Sequence, residues 1–152
     1  MSKRTFLATV AAALVLCGGA QASRLWNWRY DASGVTAAGT LLTEDAPDGG
    51  GFYRITGISG ERNGVAITTL TAAGKPIPGN EPYEVDNQLR SSVPHLTKSG
   101  IGFALKDGTF ANLFFANLGT GPRYQEFFAS TKIAGGHTEQ PVTLAIEPAG
   151  PQ

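Results

Sequence analysis

The side chains with the most potential for chemistry lie in one short stretch, from Pro78 to Asn87. Three carboxylates, two amides and a phenol fall within its ten positions. Oxygen-rich loops hold calcium, but calcium takes about six to eight oxygens, and the regular acidic spacing of a calcium loop is missing here. Two interpretations are favoured over calcium binding: a structural loop whose Asn and Asp side chains bond to their own backbone, and a polar binding surface. In the second, the predicted contact residues are Asn80, Glu81, Tyr83, Asp86 and Asn87.

No complete catalytic signature accompanies this stretch. The nearest approach to a serine-hydrolase elbow, Gly57-Ile58-Ser59-Gly60-Glu61, lacks the final glycine. The two histidines, His95 and His137, lack metal-ligand spacing and lie beside proline or glycine. A hydrolase that uses carboxylates of the 78–87 loop is kept as the last alternative, although carboxylates so close in sequence seldom flank one glycosidic bond. We assign no catalytic residue, no metal and no cofactor.

The charge balance bears on possible partners. The chain has 12 Lys+Arg and 12 Asp+Glu among its 152 residues, which gives a formal net charge of zero. Basic residues form no cluster beyond Lys3-Arg4. Because nucleic-acid binding relies on a basic patch that neutralises phosphates, we expect no nucleic-acid partner.

The first 22 residues predict a secretory signal peptide. A basic start is followed by an apolar run over residues 6–17 and by the small-residue site Ala20-Gln21-Ala22. The run is shorter than the roughly 20 residues that span a bilayer, so no transmembrane anchor is expected in the mature chain. Cleavage removes the only cysteine, which leaves no disulfide. We expect a single domain over residues 23–152, located in the periplasm or outside the cell.

Hydrophobic alternation predicts an all-β domain. Trp26, Trp28 and Tyr30 share one face of the first segment, and we expect Trp28 to be buried. Asn63-Gly64 and Asp107-Gly108 predict two-residue hairpins. The chain therefore predicts an antiparallel meander of about eight strands, forming a small barrel or sandwich with a filled or hollow interior. The predicted strands are 25–30, 35–43, 52–58, 65–70, 101–106, 109–116, 124–130 and 142–146.

The middle of the chain is predicted to be a long ordered loop. Ala72–Pro94 carries four prolines, which cannot donate to a sheet ladder, so at most one edge strand is expected, near 83–85. The doublets Phe114-Phe115 and Phe127-Phe128 place phenylalanine on both faces of their strands. Either the 72–94 loop covers the outer face of these strands, or an aromatic surface is exposed.

Several segments resemble one set of proteins. They are Trp26, Trp28 and Tyr30, then 52–64, Ile77-Pro78-Gly79-Asn80-Glu81-Pro82-Tyr83 with Val85-Asp86-Asn87, and Gly102-Phe103 ahead of Asp107-Gly108-Thr109. In this order they are similar to secreted bacterial proteins of unknown function, many of which carry a C-terminal PEP-CTERM sorting tail. The resemblance implies secretion and a β-rich domain, and it implies no reaction. Residues 147–152 have no apolar helix and no basic end, so we expect this chain to lack that tail.

The sequence favours an exported, non-enzymatic binding or extracellular-matrix-associated domain, since no catalytic set is assembled. A polysaccharide or another surface component is the expected partner. The second hypothesis is a small-ligand carrier with Trp26, Trp28 and Phe103 around a barrel cavity. Ligand identity and oligomeric state are left open.

Overall fold

The computed structural model describes residues 22–130 and 136–150. Within these ranges the chain forms β-strands and no helix, which confirms the predicted all-β class. No helix in these ranges is long and apolar enough to cross a membrane. Almost all of the predicted signal peptide lies outside the described residues. The strands are β1 (Ser23–Ala32), β2 (Val35–Glu44), β3 (Tyr53–Arg62), β4 (Val65–Leu70), β5 (Lys75–Pro76), β6 (Glu84–Val85), β7 (Gln88–Leu89), β8 (Ile101–Leu105), β9 (Thr109–Asn117), β10 (Pro122–Ser130) and β11 (His137–Pro148).

Eight of these strands close into an antiparallel barrel. Their order is β1-β2-β3-β4-β8-β9-β10-β11, and β11 pairs with β1 to complete the ring. Each barrel strand is hydrogen-bonded to the next barrel strand in the chain, so the predicted meander is confirmed and it forms a barrel, not a sandwich. Strand β7 is an extra strand that pairs with Tyr53 and Arg54 at the start of β3, and β5 and β6 form a separate short ribbon.

Aromatic side chains fill the barrel interior. Trp26, Trp28 and Tyr30 are 1%, 4% and 0% exposed, which confirms the predicted inward face of β1 and the burial of Trp28. The Trp26 ring lies 5.4 Å from that of Tyr53. The Trp28 ring lies 6.2 Å from that of Phe103. The three residues expected around a carrier cavity are therefore packed against other rings of the core.

A polar network lies among these apolar side chains. Arg62 donates to both carboxylate oxygens of Glu126, through Nε at 2.7 Å and Nη2 at 2.8 Å, and the Tyr30 hydroxyl donates to the same carboxylate. The guanidinium also lies 3.8 Å from the centre of the Phe128 ring. Burial raises the pKa of the Tyr30 phenol far above its ordinary value, and the Glu126 charge adds to the rise. Burial alone lowers the pKa of Arg62, but contact with Glu126 outweighs it and the net pKa is raised.

The central segment, residues 72–94, covers the outer face of the barrel wall, as one interpretation of the phenylalanine doublets predicted. We call it the covering segment. Ile77 is fully buried and packs with Phe127 and Ala129, against the half-buried Phe110 and Phe114. A Cβ added at Gly102 would lie 2.8 Å from Ile77 Cγ2, so glycine on β8 lets the segment approach this closely. The doublets are thus apolar on both sides because one side faces the core and the other faces a covering loop.

Several local predictions need correction. The central segment holds three two-residue strands where at most one was expected, because short stretches pair with each other or with β3. Strand β11 begins at His137, five residues before the predicted start, because its polar residues pair with β10 although their side chains face outward. Asn63 and Gly64 have φ of 48° and 76°, as predicted, whereas at the other hairpin only Gly108 has positive φ. There the Gly108 amide donates to Leu105, which makes a wider turn.

Candidate binding groove

A groove lies on the outer face of β9, β10 and β11, between these strands and the covering segment. The strand register places Asn112 beside Phe127, and Phe127 beside Glu139, so the three form one row across the three strands. The cavity has a volume of about 310 Å³, near the lower end of the roughly 300–1,000 Å³ typical of small-ligand sites. We call it the outer groove; its lining residues are Asn80, Tyr83, Lys98, Asn112, Phe114, Leu118, Phe127 and Glu139.

The covering segment forms one wall of the outer groove. Burial of Ile77 anchors this segment to the sheet. Two successive turns follow, in which the Asn80 amide donates to the Ile77 carbonyl and the Tyr83 amide donates to the Asn80 carbonyl. These turns leave the Tyr83 side chain 69% exposed at the mouth of the groove. A large aromatic ring is thus held on an ordered loop and remains open to a ligand.

Two amides form the polar part of the groove floor. Asn112 donates through Nδ2 to the carbonyls of Ser99 and Ile101, at 3.0 and 3.1 Å, and accepts from Asn80 Nδ2 at 3.2 Å. Its hydrogen-bonding capacity within the fold is therefore largely used. Asn80 is 8% exposed, and its Oδ1 accepts no hydrogen bond from the described residues. Asn80 Oδ1 is an acceptor that a ligand can use.

Two opposite charges line the groove without pairing. Lys98 and Glu139 are both exposed. In the part of the chain that the structure describes, neither takes part in an ion pair or a side-chain hydrogen bond. Nearby, the His137 ring stacks on Phe127 at a centroid distance of 5.0 Å and an interplanar angle of 15°. One donor group and one acceptor group are thus free at the rim, while the Phe127 face is already covered.

Asn80 and Tyr83 are the two predicted contact residues that line the outer groove. Glu81 lies on the same loop, but its Oε2 accepts a hydrogen bond from the Gly79 amide at 3.0 Å. This is a local contact that stabilises the positive-φ turn at Gly79, where φ is 88°.

The other two predicted residues, Asp86 and Asn87, form hydrogen bonds between the covering segment and the chain on either side of it. Asp86 accepts from the Thr97 hydroxyl at 2.6 Å and from the Gln88 amide at 3.3 Å. Burial raises the pKa of Asp86, and these two hydrogen bonds partly oppose the rise. Asn87 is 2% exposed and donates through Nδ2 to the Thr71 carbonyl at 2.6 Å. The structure therefore does not bring these two residues together with Asn80 and Tyr83 in one cavity; Asp86 lines a separate groove beside Glu44.

The groove contains residues that sequence reasoning did not assign to a site: Lys98, Asn112, Phe114, Leu118, Phe127 and Glu139. The phenylalanine doublets gave a signal for Phe114 and Phe127, since they predicted an apolar outer face. No local pattern points to Lys98 or Glu139; the pairing of β9, β10 and β11 and the hydrogen bond from the Phe115 amide to the Thr97 carbonyl bring them to the same groove.

Neither a metal cluster among the described residues nor a similar known protein indicates what the groove binds. Across residues 22–130 and 136–150, no three His, Cys, Asp or Glu side chains are grouped so that they could hold a metal ion. No family model, no curated protein and no solved structure matches this chain.

Proposed function

We propose that this chain is an exported, non-enzymatic binding protein, associated with the cell surface or extracellular matrix, and that it binds through the outer groove. The observation that carries the proposal is the groove itself. It combines an exposed ring, Tyr83, with an unused acceptor on Asn80 and unpaired charges on Lys98 and Glu139. A concave site with apolar walls and a few convergent polar groups is the usual form of a ligand site.

The interior of the barrel supports this choice over a carrier. A carrier needs an internal cavity, and an eight-stranded barrel is either filled by side chains or holds one small ligand. Here Trp26, Trp28 and Phe103 are at most 4% exposed and lie among other buried side chains of the core cluster. The interior residues thus serve packing, and the open concave surface is outside.

The proposal of export rests on the N-terminal pattern and on the resemblance to secreted bacterial proteins. Intact-mass analysis of the protein recovered from a bacterial periplasm or culture medium tests it. We expect a chain that begins at Ser23, because small residues precede that position. Recovery of a chain that retains Met1 would contradict export by signal-peptide cleavage.

The binding proposal is tested by a thermal-shift screen against four classes of probe: neutral oligosaccharides, extended peptides, divalent metal ions and small apolar molecules. A ligand at about 100 times its Kd adds roughly 2.7 kcal/mol to stability. We expect one class to raise the Tm of the wild-type protein and not that of Tyr83→Ala. Val93→Ala is the matched control, because Val93 is 74% exposed and does not line the groove. A shift that survives Tyr83→Ala, or no shift with any class, would contradict the proposal.

A further inference from the structure

The ligand class follows from the chemistry of the outer groove, if the proposed function holds. We infer that the groove binds a neutral pyranosidic oligosaccharide whose ring substituents are equatorial. Such a sugar presents C–H groups on its two ring faces and hydroxyls around its rim. The groove offers the complementary arrangement: an apolar face and polar groups at the edge.

The apolar face comes mainly from Tyr83. Its ring is 69% exposed, and Leu118, 53% exposed, lies in the same groove. The half-buried Phe114 continues the apolar floor. Phe127 is 8% exposed and is already stacked by His137, so it contributes to the floor but offers little ring surface. Tyr83 is therefore the residue on which a sugar ring packs.

The polar rim contains both donors and acceptors, as hydroxyls require. The Lys98 ammonium at the rim can donate to hydroxyl oxygens, whereas Glu139 at the rim and Asn80 Oδ1 on the floor can accept from hydroxyl hydrogens. Hydrogen bonds in which one partner is charged are the stronger kind. Because the rim carries one positive and one negative side chain, it provides no net charge to select a strongly acidic or basic ligand.

The topology argues against an extended peptide in this position. A peptide that adds to a sheet needs a free strand edge. Strand β9 pairs with β8 and β10, and β10 pairs with β9 and β11, whereas β11 pairs with β10 over residues 137–142 and with β1 over residues 143–148. The groove floor at Asn112 and Phe127 therefore lies over strands that are paired on both sides, and its ligand is recognised by side chains. A purely apolar ligand fits poorly as well, because it would bury Asn80 Oδ1 without a hydrogen-bond partner.

Calorimetric titration of the purified protein with cellotetraose and with chitotetraose tests this inference. We expect at least one of the two to bind, and Tyr83→Ala to weaken its affinity at least tenfold, which corresponds to about 1.4 kcal/mol. Tyr83→Phe keeps the ring and should retain the affinity within about threefold. That difference separates ring packing from hydrogen bonding by the phenol.

The rim is tested with two matched pairs of variants. Glu139→Gln and Lys98→Met should each weaken binding several-fold, because each removes a charged hydrogen-bonding group from the groove. Glu84→Gln and Lys106→Met change exposed residues that do not line it and should leave affinity unchanged. Equal effects of the groove variants and their controls would overturn the assignment of the rim.

The outcomes separate this inference from the proposed function. If neither tetrasaccharide binds but a probe of another class shows binding that depends on Tyr83, the sugar inference fails and the binding proposal stands. If a tetrasaccharide binds equally well to wild type and Tyr83→Ala, both fail. If no probe of any class binds, both fail as well.

Discussion

The buried Arg62–Glu126 pair should contribute strongly to stability, and the contribution should depend on both partners. Glu126 is fully buried and Arg62 is 8% exposed, so neither charge has access to much water. The carboxylate accepts two hydrogen bonds from Arg62 and one from Tyr30. Removing one partner of such a pair leaves the other charge buried without compensation, which costs about 3–5 kcal/mol.

We therefore expect Glu126→Gln to lower the free energy of unfolding by about 3–5 kcal/mol. Tyr30→Phe removes a single hydrogen bond to a charged group and should cost about 1.5–3 kcal/mol. The double variant Arg62→Met with Glu126→Gln should be hardly less stable than Glu126→Gln alone, because no charge is then left uncompensated. The change in the free energy of unfolding of this double variant should thus differ by about 2 kcal/mol or more from the sum for Arg62→Met and Glu126→Gln, as is typical of contacting residues.

Urea denaturation measures these changes, with fluorescence of the buried Trp26 and Trp28 as the signal. The control is Asp45→Asn, which breaks the exposed pair between Arg24 and Asp45, whose side chains are 50% and 54% exposed. Exposed pairs contribute about 0–1 kcal/mol. A loss below about 1 kcal/mol for Glu126→Gln, or additive effects in the double variant, would refute the reasoning.

Three further predictions concern the core and the covering segment. Trp28→Ala should cost about 3–5 kcal/mol. Trp28→Phe should cost about 1 kcal/mol or less, because it keeps a ring and removes Trp28 Nε1, which is buried without a partner among the described residues. Equal unfolding midpoints for the two variants would be inconsistent with this. The raised pKa of Tyr30 favours the protonated phenol in the fold, so its contribution is complete below the unfolded pKa of about 10 and decreases as pH rises above it. Unfolding curves between pH 8 and about 11 should show a shallower alkaline loss for Tyr30→Phe than for wild type, and an identical slope would contradict the assignment. The double change Glu81→Gln with Asp86→Asn should lower stability by about 1–3 kcal/mol, since both carboxylates accept hydrogen bonds within the fold, and a melting temperature equal to that of wild type would show that these bonds contribute nothing.

The alternation of Trp26, Trp28 and Tyr30 was enough to predict an inward-facing strand, because side chains of a strand point alternately to its two faces. Asn63-Gly64 was enough to place a hairpin, since both residues tolerate positive φ. Closure of the sheet was not predictable in this way. It depends on pairing between β1 and β11, more than 100 residues apart in the chain, and the local pattern of a strand is the same in a barrel and in a sandwich.

The site shows the same division between local and distant information. The 78–87 stretch was identifiable from its composition, but composition does not show which oxygens are used by the fold. Asp86 and Asn87 are occupied by Thr97 and Thr71, whereas Asn80 has an unused acceptor. Lys98 and Glu139 carry no local signal at all. Their position in the groove follows from the barrel and its covering segment, which only the folded chain brings together.

Mapping the position of a bound sugar on the protein tests the central claim most directly. Backbone amide resonances are followed by NMR while cellotetraose or chitotetraose is added. We expect the largest shifts at the covering loop around Asn80 and Tyr83, at Lys98, and at Glu139 on β11, with little change at Trp26 and Trp28 in the interior. Shifts centred on the interior residues or on the groove beside Asp86, or no shifts with either sugar, would contradict the assignment of the outer groove as an oligosaccharide site.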